Sequence, residues 1–247
     1  MVTYQCAKFL PEAVESVLSQ TFKNFELIIV NDGSTDNTSH FLSTIKDPRV
    51  RVFETPHLGL ISARNLALKE SKGLWTAIWD ADDISLPNRL ELCWEAIHGF
   101  DKKKDEEKLV AISGQMVEMT QRKKILNFTL QFPVQENEIK NSLGKSFSIC
   151  HGASVFRTDL ARKVGGYRAV AGLTGEDEDL FIRLQKEGRL VNLADFLIYR
   201  RLHPGSLCTQ AGFRVKFGKK DNPSTLWFRN IAVYFARIFR ARLKNYW

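Results

Sequence analysis

Phe25-Glu26-Leu27-Ile28-Ile29-Val30-Asn31-Asp32-Gly33-Ser34-Thr35-Asp36 is the stretch on which the reading of this 247-residue chain turns. Its first half is a continuous apolar, largely β-branched run after the turn pair Lys23-Asn24, the pattern of a strand covered on both faces. The run breaks into an Asn-Asp-Gly turn followed by helix-capping residues, and Thr38 to Ile45 reads as the helix that follows. Working outward, Phe9 to Gln20 places Leu10, Ala13, Val14, Val17 and Leu18 on one helical stripe. Val50 to Phe53 reads as a short strand, Ser62 to Ser71 as a helix and Leu74 to Trp79 as a second buried strand. Strands alternating with helices predict an α/β protein with a Rossmann-like, mainly parallel sheet and helices on both faces.

The second half is less regular. Leu109 to Met119 and Ile125 to Phe132 read as strands flanking the basic turn Gln121-Arg122-Lys123-Lys124, and Ser154 to Phe156 as another. Glu176 to Lys186 reads as a helix with Leu180, Phe181 and Leu184 on one side and Gly188 as its stop. Lys102 to Lys108 is a charge run expected to be solvated.

Composition narrows the class. With 44% hydrophobic and 26% charged residues the chain can bury a sizeable core, which excludes a disordered tail or a coiled coil. No run of about 18 apolar residues and no basic-then-apolar leader is present, so a cytoplasmic protein is expected. The cysteines Cys6, Cys93, Cys150 and Cys208 form no C-x-x-C pair, which argues against a zinc knuckle and for reduced thiols. The net charge of +8 is local: nine basic residues and one acidic fall within 214–247, leaving 27 of each before them.

Two acidic clusters carry chemistry. The strand Leu74 to Trp79 runs into Asp80-Ala81-Asp82-Asp83, and the carboxyl end of a strand in an open α/β sheet is where ligands bind. One Asp there would be read as a cap for the helix after Pro87. Three repel one another unless a cation or hydrogen-bond donors lie between them, and such hard oxygens suit magnesium or manganese beside a phosphate. The second cluster, Glu176-Asp177-Glu178-Asp179, opens a helix, where acids favour the dipole; a buried member could also serve as a general base.

Taken together, Phe25 to Thr38, Ala63-Arg64-Asn65, Asp80-Ala81-Asp82-Asp83, Gly165-Gly166-Tyr167 and Glu176-Asp177 resemble family 2 glycosyltransferases in identity and order over about residues 1–205. The resemblance implies a GT-A fold and transfer, with inversion, of a sugar from a nucleotide-sugar, commonly a UDP-sugar, to an acceptor hydroxyl. It further implies that Thr3 and Tyr4 lie against base and ribose, that Asp32 bonds the base edge, and that Arg64 stabilises the pyrophosphate. Asp80 and Asp82 belong to the donor site, and Asp82 or Asp83, with His203, to a divalent metal. Asp177 matches the catalytic base, with Asp179 as fallback. The implied division is a nucleotide-sugar half at about 1–115, an acceptor half at about 116–205 and a basic extension at 206–247.

Members of the family carry an apolar strand ahead of the position of Thr3-Tyr4, where this chain has only Met1 and Val2, so either the true start lies upstream or the first strand is truncated. That motivates the alternative of a degenerate nucleotide-sugar-binding or scaffold protein without turnover. An aspartyl-nucleophile phosphatase is disfavoured because Ile84 stands where such enzymes carry Thr or Val. In the tail, Trp227 to Lys244 forms an amphipathic pattern, with Phe228, Ile231, Phe235 and Phe239 on one face and Arg229, Arg237, Arg240 and Lys244 on another. This fits either packing on the domain or peripheral contact with the inner face of an anionic membrane, as would suit a lipid-linked or other glycan acceptor in bacterial surface polysaccharide or glycolipid synthesis. No nucleic-acid motif accompanies the charge.

Overall fold

In the computed structural model, which describes residues 1–102, 108–127, 131–146, 148–170 and 175–206, the decisive run forms β2 (Leu27–Asn31), buried at every position. Alternation divides its side chains between two cores. Leu27 and Ile29 pack with Leu10, Val14 and Val17 of α1 (Leu10–Leu18) and Leu42 of α2 (Thr38–Thr44). Ile28 and Val30 pack with Ala63 of α3 (Leu60–Glu70). Helices therefore cover both faces, as the uninterrupted apolar run requires.

β2 pairs in parallel with β1 (Val2–Thr3) on one side and β3 (Val50–Glu54) on the other. The chain then passes through β4 (Trp75–Ala77), β5 (Ile84–Ser85), α4 (Arg89–Lys102), β6 (Leu109–Thr120), β7 (Ile125–Asn127), α5 (Glu136–Ser142), β8 (Val155–Arg157), α6 (Thr158–Lys163), α7 (Gly175–Leu184) and β9 (Arg189–Leu202). A second sheet has the order β4-β8-β6-β9-β5, with β7 on β6. A parallel bridge between Val2 and Asp80 sets the end of the β4 segment beside β1.

Parallel pairing holds in the first sheet and between β6 and β9, whereas β8 runs antiparallel to both β4 and β6, and β5 to β9. The sheet is thus parallel in its first half and mixed in its second. α7 lays Leu180, Phe181 and Leu184 on this second sheet, against Val110, Phe156 and Leu190. The strand expected over Ile125 to Phe132 is described only as β7; Phe132 is instead buried in the core beyond it, its backbone N–H on Gln115 Oε1 at 3.0 Å.

β1 is two residues long. Behind Met1, an apolar slot of about 670 Å³ separates β2 from the β4 segment, lined among others by Leu27, Ile28, Leu68, Ala77, Ile97 and Trp94. The Met1 ammonium sits in it, donating to the Ile28 carbonyl at 2.8 Å, and burial pulls its pKa down from 8.0 to about 5 although Asp80 opposes the shift. No helix among the described residues is long and apolar enough to cross a membrane. Positions 207–247, with the expected basic amphipathic helix and its membrane contact, lie outside the described residues, as do 103–107 of the charge run.

Candidate donor and catalytic site

The Asp80–Asp83 turn is held from three directions. Arg89, fully buried at the start of α4, stacks 3.9 Å from the Trp79 ring centroid and donates to the Ile78 carbonyl at 2.6 Å, which fixes the strand just before Asp80. Arg201, near the end of β9, donates its backbone N–H to Asp83 Oδ1 at 2.7 Å and its Nε to the Asp82 carbonyl at 2.9 Å, and reaches Glu12 of α1 at 2.7 Å. Behind the turn, a Cβ built on Gly152 would stand 2.6 Å from Asp80 Oδ2, so a side chain there would require that carboxylate to shift.

These contacts give the three carboxylates different settings. Asp83 is buried with its Oδ1 engaged on β9, and burial, with Asp82 and Asp80 adding repulsion, pushes its carboxyl well above the usual range. Asp80 is raised by burial, with Arg64 pulling the other way. Asp82 is partly open and meets His203 Nε2 at 2.9 Å through its Oδ2, the His203 ring packing on Phe9 at 4.6 Å.

At the end of β2, the Asp32 carboxylate turns into the loop that follows β3. Its oxygens accept from Thr55 Oγ1 at 2.7 Å and from the backbone N–H groups of Leu58 and Gly59 at 2.6 and 2.9 Å. Burial would raise its pKa, but these donors outweigh burial and hold it below the ordinary value. Gly33 adopts φ +74°, where an added Cβ would lie 2.6 Å from the His57 nitrogen. Thr3 is buried and its carbonyl accepts from the Asp32 N–H at 2.9 Å. Tyr4 is 47% exposed and stacks on His57 at 4.2 Å, leaving an open aromatic surface beside Asp32.

Across from β4, Arg64 of α3 pairs with Glu176 at the start of α7 and lies 5.4 Å from the Tyr167 ring centroid. Asn65 holds Tyr167 by its backbone, accepting from its N–H at 2.8 Å and donating to its carbonyl at 2.7 Å. The Tyr167 hydroxyl meets His151 Nε2 at 2.9 Å, and burial holds His151 neutral by lowering its pKa well below the ordinary value. Asp177, next to Glu176, is raised chiefly by burial, with the Glu178 N–H and Arg64 opposing and Glu176 adding to the rise. Asp179 lies between Arg168 and Arg183, each within 2.9 Å, and is held below the ordinary value chiefly by the Arg168 hydrogen bond. An acid so neutralised is a helix anchor, so Asp177 is the better base of the two.

The structure thus brings Asp82 to His203, places Arg64 within electrostatic reach of Asp80 and Asp177, and joins Thr3 to the Asp32 turn. The described residues contain no group of three His, Cys, Asp or Glu side chains able to hold a metal. One carboxylate and one imidazole still fit a divalent ion such as manganese that takes its other ligands from phosphate and water, once the two side chains give up the hydrogen bond between them. Sequence reasoning did not assign His57, His151, Tyr167, Arg89 or Arg201. Tyr167 had a signal in the Gly165-Gly166-Tyr167 motif; Arg201 had none, because its partners Glu12, Asp82 and Asp83 lie far away in the chain.

The model of the family described as "Glycosyl transferase family 2" matches residues 1–165. The Bacillus subtilis "Putative glycosyltransferase EpsE" is 31% identical over 213 residues, covering 80% of this chain and 69% of that relative. The Pasteurella multocida "Chondroitin synthase" is 40% identical over 92 residues, 36% of this chain and 10% of the synthase; an "Uncharacterized glycosyltransferase" of Rickettsia bellii is matched over only 12% of its length. Among solved structures, S. aureus TarS residues 1–349 in complex with UDP-GlcNAc superposes with a TM-score of 0.65 at 19% identity, covering 84% of this chain and 59% of that one. The mannosyltransferase PcManGT from Pyrobaculum calidifontis, in complex with GDP-Man and Mn2+, gives 0.62 at 16%, covering 97% and 62%. These neighbours have the α/β architecture of GT-A glycosyltransferases. On the match over two thirds of its length, the chain belongs to glycosyltransferase family 2.

Proposed function

We propose that this protein transfers a sugar, with inversion and with the help of a divalent metal, from a nucleotide-sugar to an acceptor hydroxyl. The observation that carries the reading is the pairing of Asp82 with His203 at the carboxyl end of the β4 segment, with Arg64, Glu176 and Asp177 gathered across from it. UDP is the favoured nucleotide, since UDP and UDP-GlcNAc are bound by the similar TarS structures. Residues 1–115 form the donor half and 116–205 the acceptor half. A bacterial surface polysaccharide or glycolipid is the proposed product class, and the basic segment 206–247 is proposed to touch an anionic membrane from the inner face.

Each residue then has a task. Tyr4, stacked on His57, offers its face to the base, while Thr3 and Asp32 shape the floor beside it. Arg64 contacts the diphosphate, and Asp80 borders the ribose and phosphate. Asp82 and His203 would hold manganese or magnesium, which when bound supplies positive charge to the departing diphosphate. Asp83 serves to lock the turn onto β9. Asp177, its carboxyl raised by burial, accepts the proton of the acceptor hydroxyl as that oxygen attacks the anomeric carbon from the face opposite the leaving group. Charge grows on the diphosphate as the bond breaks, so Arg64 stabilises the transition state more than the ground state.

The test is release of UDP from UDP-sugars in the presence of manganese and a panel of glycan and lipid-linked acceptors. Turnover that Asp177→Asn abolishes while nucleotide binding survives is expected. Binding without turnover for any acceptor would favour the scaffold alternative.

A further inference from the structure

We propose that Glu176 is a positioning residue that holds Arg64 away from the diphosphate in the donor-free protein, so that donor binding must take this guanidinium from the helix that carries Asp177. The inference rests on the donor-site reading above.

The geometry of the pair motivates it. Arg64 and Glu176 are 112 residues apart in sequence, on α3 and α7, and their ion pair is largely shielded, the side chains being 13% and 24% exposed. The guanidinium stays at the mouth between the two acidic clusters because the Tyr167 ring lies beside it, and Tyr167 is itself fixed by Asn65 and His151. Its charge acts on Asp80 on one side and on Asp177 on the other. One cation is thus shared between the strand end where a diphosphate would sit and the helix that carries the base.

α7 does not depend on this pair for its place. Glu178 accepts from the Gly144 N–H at 2.7 Å; Arg183 donates to the Val164 and Gly166 carbonyls at 2.6 and 2.7 Å; Asp179 is paired with Arg168 and Arg183. With Leu180, Phe181 and Leu184 in the core, the helix remains docked when Glu176 lets go. The Arg64–Glu176 link is therefore free to exchange partners. A diphosphate beside Arg64 competes with a single carboxylate for the same donors, and once Arg64 turns to it, the cation's pull on Asp177 weakens as the donor arrives.

The reading makes Glu176 a competitor of the donor, which gives a sign opposite to that of an ordinary binding residue. Titration of UDP in the presence of manganese into the full chain and into Glu176→Gln should show about fivefold tighter binding to the variant, the scale of one partly exposed ion pair. Loss of a negative charge near an anion site could tighten binding by itself, so the same pair is compared on an Arg64→Ala background. There the change should add less than about twofold. Equal tightening on both backgrounds, or weaker binding by Glu176→Gln with an unchanged melting temperature, overturns the proposal. If the wild-type chain binds neither UDP nor GDP, the donor-site reading fails and this inference with it.

Discussion

A polypeptide made to start at Met1 buries its terminal ammonium, which makes a quantitative prediction about its stability. In the unfolded chain it keeps its proton up to about pH 8, whereas in the fold it holds it only to about pH 5. Between those values the unfolded state binds more protons, so stability rises with pH across the window and is lowest below pH 5. At about 1.4 kcal/mol per unit, the full penalty is about 4 kcal/mol, of which about 1.4 kcal/mol remains at pH 7 and almost none at pH 9. Acetylating Met1 removes the charge. A domain of this size gains roughly 2–4 °C per kcal/mol, so the expected rise in melting temperature is about 3–6 °C at pH 7, more at pH 6 and none at pH 9. The slot behind Met1 adds a second term with a different pH signature. Continuing backward from Val2, which faces Val30 on β2 and Asp80 on the β4 segment, five added residues would run alongside 24–28 and 74–78. A fused Val-Ser-Val-Ile-Ile segment should therefore keep a gain at pH 9, where the charge term has vanished, because it fills apolar space and pairs both edges. A Gly-Ser extension of equal length should match acetylation only. Differential scanning calorimetry at pH 6, 7 and 9 decides: identical melting of acetylated and free chains at pH 6 refutes the buried ammonium. Identical behaviour of the two extensions at pH 9 refutes the strand-shaped slot.

Two substitutions probe how the site is supported. Gly152→Ala would put a methyl 2.6 Å from Asp80 Oδ2 and should displace that carboxylate, lowering turnover at least about tenfold; unchanged kinetics would show that Asp80 has room to move. Asn65→Ala removes both side-chain hydrogen bonds to the Tyr167 backbone and should cost about 1–3 kcal/mol in urea unfolding, with a loss of donor affinity as Arg64 loses its support.

The first half of the fold was legible because the amphipathic periods there are unbroken. Leu27 to Val30 is an unbroken apolar run and Leu10, Val14, Val17 an unbroken helical stripe, and Leu27 and Ile29 of the run pack on that stripe. β9 was not legible: Asn192, Asp195, Arg200 and Arg201 interrupt its apolar pattern, although Arg201 is buried and anchors the Asp80–Asp83 turn. Antiparallel β8 is three residues long, too short for a period to declare its direction. At the site, the motifs located the acidic clusters but not how each carboxylate is held. Asp32, Asp83 and Asp179 look as available as Asp82 and Asp177 in a linear reading. Only the folded chain turns Asp32 into the 55–59 loop, Asp83 onto β9 and Asp179 between two arginines.

A nucleoside diphosphate is proposed to bind at the end of the β4 segment through a divalent ion that Asp82 and His203 would hold. Isothermal titration of UDP, with GDP as comparison, into wild type, Asp82→Ala and His203→Ala, each with and without manganese, tests it most directly. Manganese-dependent binding of UDP by the wild type, abolished by both substitutions, is expected. Binding that is indifferent to manganese and survives both substitutions would contradict it.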